Sequence, residues 1–259
     1  SPLTHGDKAL GILVGFNKPG GFSGNDKFML TMVSSIAVTA IFNNGLISQL
    51  KELFETTIES LVKTIDAKDS YPRGHTGRVS QYTLAIGGEL GWDEEKLNQA
   101  YIGTLFHDIG KIGIPDHVLN KKGKLTSEEY ELMKSHVTIG YEIIKDIPKL
   151  KDVLDYVLCH HERWDGRGYP RGLAGEQIPL DGRVVCVADS FDAMISNRSY
   201  RNALPVTKAV DELKNGAGSQ FDARIVKIFI GLLQSGKLEG ISAASLESDD
   251  MVDQRKQAG

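Results

Sequence analysis

Residues 151–170 read KDVLDYVLCHHERWDGRGYP. In the first half Val153, Val157 and His160 recur at helical spacing, so the stretch predicts a helix with an inward face. Two histidines, His160 and His161, end that apolar run, and a glycine-rich loop follows from Trp164 to Gly182. A single imidazole on an inward face is ordinarily a hydrogen-bonded core residue, because a buried polar group needs a partner.

Working outward, the same situation recurs. His75 shares a stripe with Val79, Tyr82 and Ile86. His107 and Asp108 end an apolar helix in LFHDIGKIGIPD, His136 lies mid-helix, and Asp189 interrupts the apolar run VVCVADSFDA. Hydrogen bonding could satisfy each of these alone. Metal ions would satisfy all of them at once, since imidazole and carboxylate suit Fe, Mn, Zn, Ni or Cu. Seven candidates exceed one tetrahedral site and suit a two-metal centre, in which one carboxylate bridges cations roughly 3.5–4 Å apart.

The rest of the chain sets the frame. It has 259 residues, 30 basic and 34 acidic, for a net charge of −4. Apolar residues at 41% and charged residues at 25% exclude a disordered or collagenous chain, and the slightly acidic balance argues against a nucleic-acid polymer as partner. Cys159 and Cys186 match no zinc spacing and read as buried thiols of a reducing, cytoplasmic compartment. No run of 18 apolar residues occurs, so no membrane segment is expected here. The start reads as ongoing structure, as in a piece of a longer protein.

Lys8 to Phe16 predicts a buried strand and Asn17 to Gly24 a turn. Asn25 or Asp26 would cap a helix running to Lys68, which Ser70-Tyr71-Pro72 would break. Within it Ile36, Asn43, Leu46, Leu50, Leu53 and Thr57 form a heptad seam. The seam fits a parallel homodimer with Asn43 setting register; the other reading is one helix packed on its own domain. Beyond it come helices at Arg73–Leu90, Glu94–Asp108, Thr126–Lys145 (with a Thr126/Glu129 capping box), Lys149–Arg163, Arg183–Asn197, Val206–Asn215 and Asp222–Gln234. A polar tail starts near Ser245. The fold class is mainly α: an all-helical bundle preceded by a small α+β remnant and a long connecting helix.

His107-Asp108 followed by Ile109-Gly110-Lys111 resembles the HD signature of the HD phosphohydrolase superfamily. The run His160 to Pro170 is similar to the second signature of its HD-GYP family, ending in Gly168-Tyr169-Pro170. Residues 8–55 resemble the last strand, turn and closing helix of a GAF sensory domain. This divides the chain into a sensory remnant at 1–55, a phosphodiesterase domain at 56–240 and a tail at 241–259. The resemblance implies a phosphodiesterase that hydrolyses cyclic di-GMP to linear pGpG, with a second cut giving GMP, through hydroxide held at a binuclear centre. It implies His75, His107, Asp108, His136, His160, His161 and Asp189 as metal ligands, Asp108 bridging, and Fe or Mn as the favoured divalent ions. Lys111 would contact the scissile phosphate, Arg198 and Arg201 would hold the other phosphates, and Tyr169 would shape the pocket. Trinuclear members carry a Glu four residues before the first His; Tyr71 stands there, so two metals are expected. Alternatives are a catalytically weak nucleotide sensor or protein-binding module, or a preference for mixed cyclic GMP-AMP. An upstream sensor ligand is expected but not readable.

Overall fold

The computed structural model describes residues 1–68, 74–197 and 202–241. It separates into two compact units, with the boundary between Glu59 and Ser60. The helix break expected at Ser70-Tyr71-Pro72, the Tyr71 position and the tail from Ser245 lie outside the described residues.

In the first unit, β1 (Pro2–His5) and β2 (Lys8–Ile12) pair antiparallel, with Pro2 opposite Ile12 and His5 opposite Lys8. The turn is Gly6-Asp7, and Gly6 takes φ 57°, a left-handed value that glycine adopts without strain. The buried strand expected from Lys8 to Phe16 is therefore corrected: it stops at Ile12, and all five of its residues are exposed. An apolar run identifies strand material but cannot guarantee a cover, and within this unit a two-stranded ribbon has only one helix to lean on.

That helix, α1, spans Gly24–Lys68. Ser23, rather than Asn25 or Asp26, anchors its start. The Ser23 backbone N–H and hydroxyl donate to the Asp26 carboxylate at 2.7 and 2.5 Å, and the Asp26 N–H donates back to Ser23 Oγ at 3.3 Å. His5 stacks on Phe42 with ring centroids 3.8 Å apart, and Ser34 and Val38 are buried. A cavity of about 590 Å³ lies between the hairpin and this flank of α1. Met29, Met32, Val33, Ile36, Leu46, Leu50 and Leu53 are exposed. The helix also contains a stretch long and apolar enough to cross a membrane by length and composition. Counting consecutive apolar residues conceals it, because Thr31, Ser34, Ser35 and Thr39 interrupt the run although no charge falls between Phe28 and Leu50.

The second unit is helical, as the sequence predicts. After the last turns of α1 come α2 (His75–Glu89), α3 (Glu94–Phe106), a 3-10 turn (Ile109–Gly113), α4 (Asp116–Leu119), α5 (Ser127–Lys134) and α6 (His136–Ile144). A 3-10 turn (Pro148–Val153), α7 (Leu154–Cys159), α8 (Leu180–Ile195), α9 (Val206–Gly216) and α10 (Ala223–Gln234) complete it. The capping box is present: Thr126 Oγ1 accepts from the Glu129 N–H, and Glu129 accepts from the Thr126 N–H at 2.7 Å. The single helix expected from Thr126 to Lys145 is two, divided at Ser135, so His136 opens α6 instead of lying mid-helix.

Tyr82 of α2, Phe191 of α8 and Phe229 of α10 meet edge to face with centroids 4.9–5.5 Å apart. Each such pair is worth about 0.5–1.5 kcal/mol beyond its buried area. Around this core Val79, Ile86, Val185 and Ile225 are fully buried. The tightest approach is at Gly110, where a Cβ would lie 1.8 Å from His136 O and 2.4 Å from Gly140 N. Only glycine lets the HD turn lie against the backbone of α6. Gly110→Ala is expected to destabilise by at least about 2 kcal/mol through forced displacement of α6. In thermal unfolding that should lower the midpoint by about 5 °C or more. Gly231→Ala, whose Cβ meets nothing within 4 Å, is the control and should be neutral or stabilising.

Candidate metal centre

Each candidate ligand sits where an element begins, ends or faces inward. His75 is the first residue of α2, His107 caps the C-terminus of α3 with Asp108 next, and His136 is the first residue of α6. His160 caps α7 with His161 following, and Asp189 lies in the middle of α8. Packing brings all seven together. Ligand atoms of Asp108, His136, His160 and His161 lie within 4.8 Å of one another, and so do those of His75, His107 and Asp108. Asp108 belongs to both groups. Asp189 joins the second group, its Oδ1 lying 3.3 Å from His75 Nε2.

The ring orientations are set by the helices' own carbonyls. His107 Nδ1–H donates to Thr104 O at 2.6 Å, His136 to Met133 O at 2.7 Å and His160 to Val157 O at 2.8 Å. A carbonyl can only accept, so the proton is on Nδ1 and the Nε2 lone pair is directed away. Those three Nε2 atoms are buried and meet no hydrogen-bond partner. They lie 3.2–3.9 Å from Asp108 oxygens without hydrogen-bond alignment. Three orphaned acceptors converging on a carboxylate would be costly unless a cation sits among them. The two donor groups, which share Asp108, therefore have the chemistry to hold divalent metal.

Electrostatics agree with the geometry. Burial drives the His160 imidazole well below its usual range, and neighbouring His161 and His107 add to this. Burial and His136 likewise bring His161 down to about 3. Both are thus neutral, as ligands must be. For His75 burial opposes the charge, but Asp189 and Asp192 outweigh it and raise the group to about 9. Burial opposes the Asp108 charge too, yet Lys111 and His107 hold that carboxyl well below the ordinary carboxylate range. Asp189 is also lowered: burial works against its charge, and His75 and His107 overcome it.

Lys111 Nζ lies 2.7 Å from Asp108 Oδ2, one helical step away. The Tyr169 ring sits 4.9 Å from that of His161, and its N–H donates to His161 O at 3.2 Å. Arg198 and Arg201 lie outside the described residues. Of the loop arginines, Arg163 is turned to Asp165 (2.7 Å) instead of standing free for a phosphate. The Arg183 guanidinium lies over the Trp164 ring at 5.8 Å, so that tryptophan packs.

Three residues outside the candidate set support the site. Glu162 is buried and its carboxylate accepts the Arg171 and Leu173 N–H groups at 2.7 and 3.0 Å, which pins the glycine-rich loop. Asp192 accepts from His75 Nδ1 at 2.7 Å, and Arg78 binds Asp192 through Nε at 2.6 Å. Asp192 lies three residues after Asp189 and Arg78 three after His75, so helical spacing places each pair on one face, which is the signal that could have found them.

The raised His75 has a measurable consequence in chelated protein. The folded state holds that proton above the unfolded pKa, so its stabilisation is complete below about pH 6.5 and disappears as pH rises through about 9. Urea unfolding should therefore show stability falling from pH 6.5 to 8.5. That window precedes any slope from the thiols of Cys159 and Cys186, pushed up to about 12 by burial. His107, raised by neighbouring Asp108 against its burial, adds to the same decline, so His75→Gln should make it shallower; an equally steep decline in the variant would contradict the assignment.

Comparison with known proteins places this site in a family. The HD domain family model matches residues 59–225. A "Cyclic di-GMP phosphodiesterase" of Thermotoga maritima is 43% identical over 182 residues, covering 70% of this chain and 49% of that protein. The "Cyclic di-GMP phosphodiesterase response regulator RpfG" of Xanthomonas campestris is 39% identical, covering 69% and 48%. The chain thus spans about half the length of these relatives. A solved Vibrio cholerae structure described as a cyclic GMP-AMP specific phosphodiesterase shares the fold, with TM-score 0.58 at 22% identity over 75% of this chain and 52% of that one. The match begins at Glu59 and leaves the GAF resemblance of residues 8–55 resting on sequence alone. It contains both the His107-Asp108 turn and the His160 to Pro170 run, and the chain belongs to the HD domain family.

Proposed function

We propose that this chain carries a metal-dependent phosphodiesterase that opens cyclic di-GMP to linear pGpG, with a second cut yielding GMP. The observation that carries the reading is the convergence of three orphaned Nε2 atoms on Asp108, the carboxylate common to both donor groups. His136, His160 and His161 would hold one divalent cation, His75, His107 and Asp189 the other, and Asp108 both; iron or manganese is favoured. Such a pair supplies acidification of water near neutral pH and charge to offset the growing negative charge on phosphoryl oxygens.

The chain's own groups do the remainder. Asp108 stays ionised because the Lys111 ammonium beside it favours its charge. Lys111, a compact ammonium at the edge of the centre, would meet a non-bridging or leaving phosphate oxygen. Tyr169 would wall the substrate pocket beside His161, and Arg198 and Arg201 would take its phosphates. Relatives named 3'3'-cGAMP-specific phosphodiesterases, 31% and 34% identical to this chain, support mixed cyclic GMP-AMP as the second reading of the substrate.

The second proposal for this chain concerns α1: a second copy docks on its bare flank as a parallel coiled coil. The exposed residues Ile36, Leu46, Leu50 and Leu53 keep heptad spacing with Asn43 among them, while the hairpin covers another flank. A bilayer would instead require apolar surface all round, and Thr31, Ser34, Ser35 and Thr39 of α1 line the hairpin side.

Four measurements test these readings. Anaerobically purified protein loaded with Mn(II) or Fe(II) is expected to convert cyclic di-GMP to a linear product, followed by chromatography against cyclic GMP-AMP; binding without turnover would instead mark a sensor. Asp108→Ala should lose metal and activity together, and hydrolysis at full metal content would contradict it. Lys111→Met should keep its metal and lose roughly 10²–10³ in kcat. In sedimentation, Leu50→Asp should convert a dimer to monomer; a monomeric wild type that partitions into liposomes would favour the bilayer.

A further inference from the structure

The two donor groups are not equivalent. His107, His136 and His160 each give Nδ1–H to a neutral main-chain carbonyl. His75 gives it to the Asp192 carboxylate at 2.7 Å. Asp192 is fully buried and fixed from its other side: Arg78 donates Nε to Oδ1 at 2.6 Å and a terminal nitrogen to Oδ2 at 2.9 Å. A bidentate guanidinium clamp leaves the carboxylate little freedom to turn. An anionic acceptor behind an imidazole fixes its tautomer and makes its other nitrogen a stronger donor.

The carboxylates divide unequally as well. One group offers Asp108 and Asp189 with His75 and His107; the other offers Asp108 with three imidazoles. More anionic charge therefore faces the first position, two carboxylates against one.

We propose that the two positions bind cations with unequal affinity, the tighter one being that of His75, His107, Asp108 and Asp189, and that Asp192 is a positioning residue for it through His75. This rests on reading the centre as a two-cation site. Asparagine at 192 would break the arrangement electronically more than sterically. In either amide orientation an N–H would face a site now filled by donors from Arg78 or His75, and the anionic charge would be gone.

Mn(II) titration of metal-free protein, with free ion counted by electron paramagnetic resonance, tests this without turnover. The wild type is expected to take up two ions in steps separated by more than about tenfold, the scale on which outer-shell partners act. His161→Ala should keep the tight step and lose the weak one; His75→Ala should do the reverse. Asp192→Asn should weaken the tight step by about 10–100-fold and leave the weak step in place. Because that variant leaves Arg78 with a buried charge facing an amide, Arg78→Met with Asp192→Asn removes both charges and should show the same selective shift. Equal steps in the wild type, a tight step that survives in His75→Ala, or a shift of both steps alike in the Asp192 variants would overturn the inference. No uptake of Mn(II) by the wild type would instead remove the two-cation reading beneath it.

Discussion

The structure depends on keeping lone pairs in a dry place. Four helix ends direct imidazoles inward, and three main-chain carbonyls fix their protons on the outward nitrogen. What remains is a concentration of acceptors around Asp108, which is unfavourable for a protein interior in isolation. Everything else in the second unit works against that cost. The aromatic trio of Tyr82, Phe191 and Phe229 ties α2, α8 and α10 together, and Gly110 lets the HD turn lie on the backbone of α6. The folding energy gained in the core thus holds a constellation that would disperse if the helices were free.

Much of that constellation was legible in the sequence. Histidines and aspartates embedded in apolar runs at helical spacing already indicated a shared solution to their burial, and all seven meet. Ser135 shows where such reading stops. Nothing in EYELMKSHVTIG resembles a breaker, yet the helix divides there, and the Ser135 hydroxyl donates to Leu132 O. The contact of His75 with Asp192 spans 117 residues, so spacing could mark each partner's face but not their meeting. The first unit shows the opposite error: KALGILVGF has the composition of a covered strand, yet every residue in it but half-buried Leu13 is exposed.

The glycine-rich loop illustrates how one residue can serve two ends. Glu162 follows His161 directly and spends its carboxylate on the backbone of Arg171 and Leu173. Gly168 lies so near Glu162 that a Cβ there would come within 2.5 Å of Glu162 Cα. The loop carrying Tyr169 is consequently folded onto the chain segment that supplies two imidazoles, and neither can be rebuilt without the other.

The end of α1 is similarly committed. Lys68 extends its ammonium to the carbonyls of Ile112 and Ile114 at 2.6 and 2.8 Å, while Asn120 Nδ2 donates to Lys68 O at 3.1 Å. Those carbonyls belong to the end of the turn that bears Lys111. One side chain therefore ties the last turn of the long helix to the peptide units that follow Lys111, so shortening Lys68 would release the helix end and that turn together.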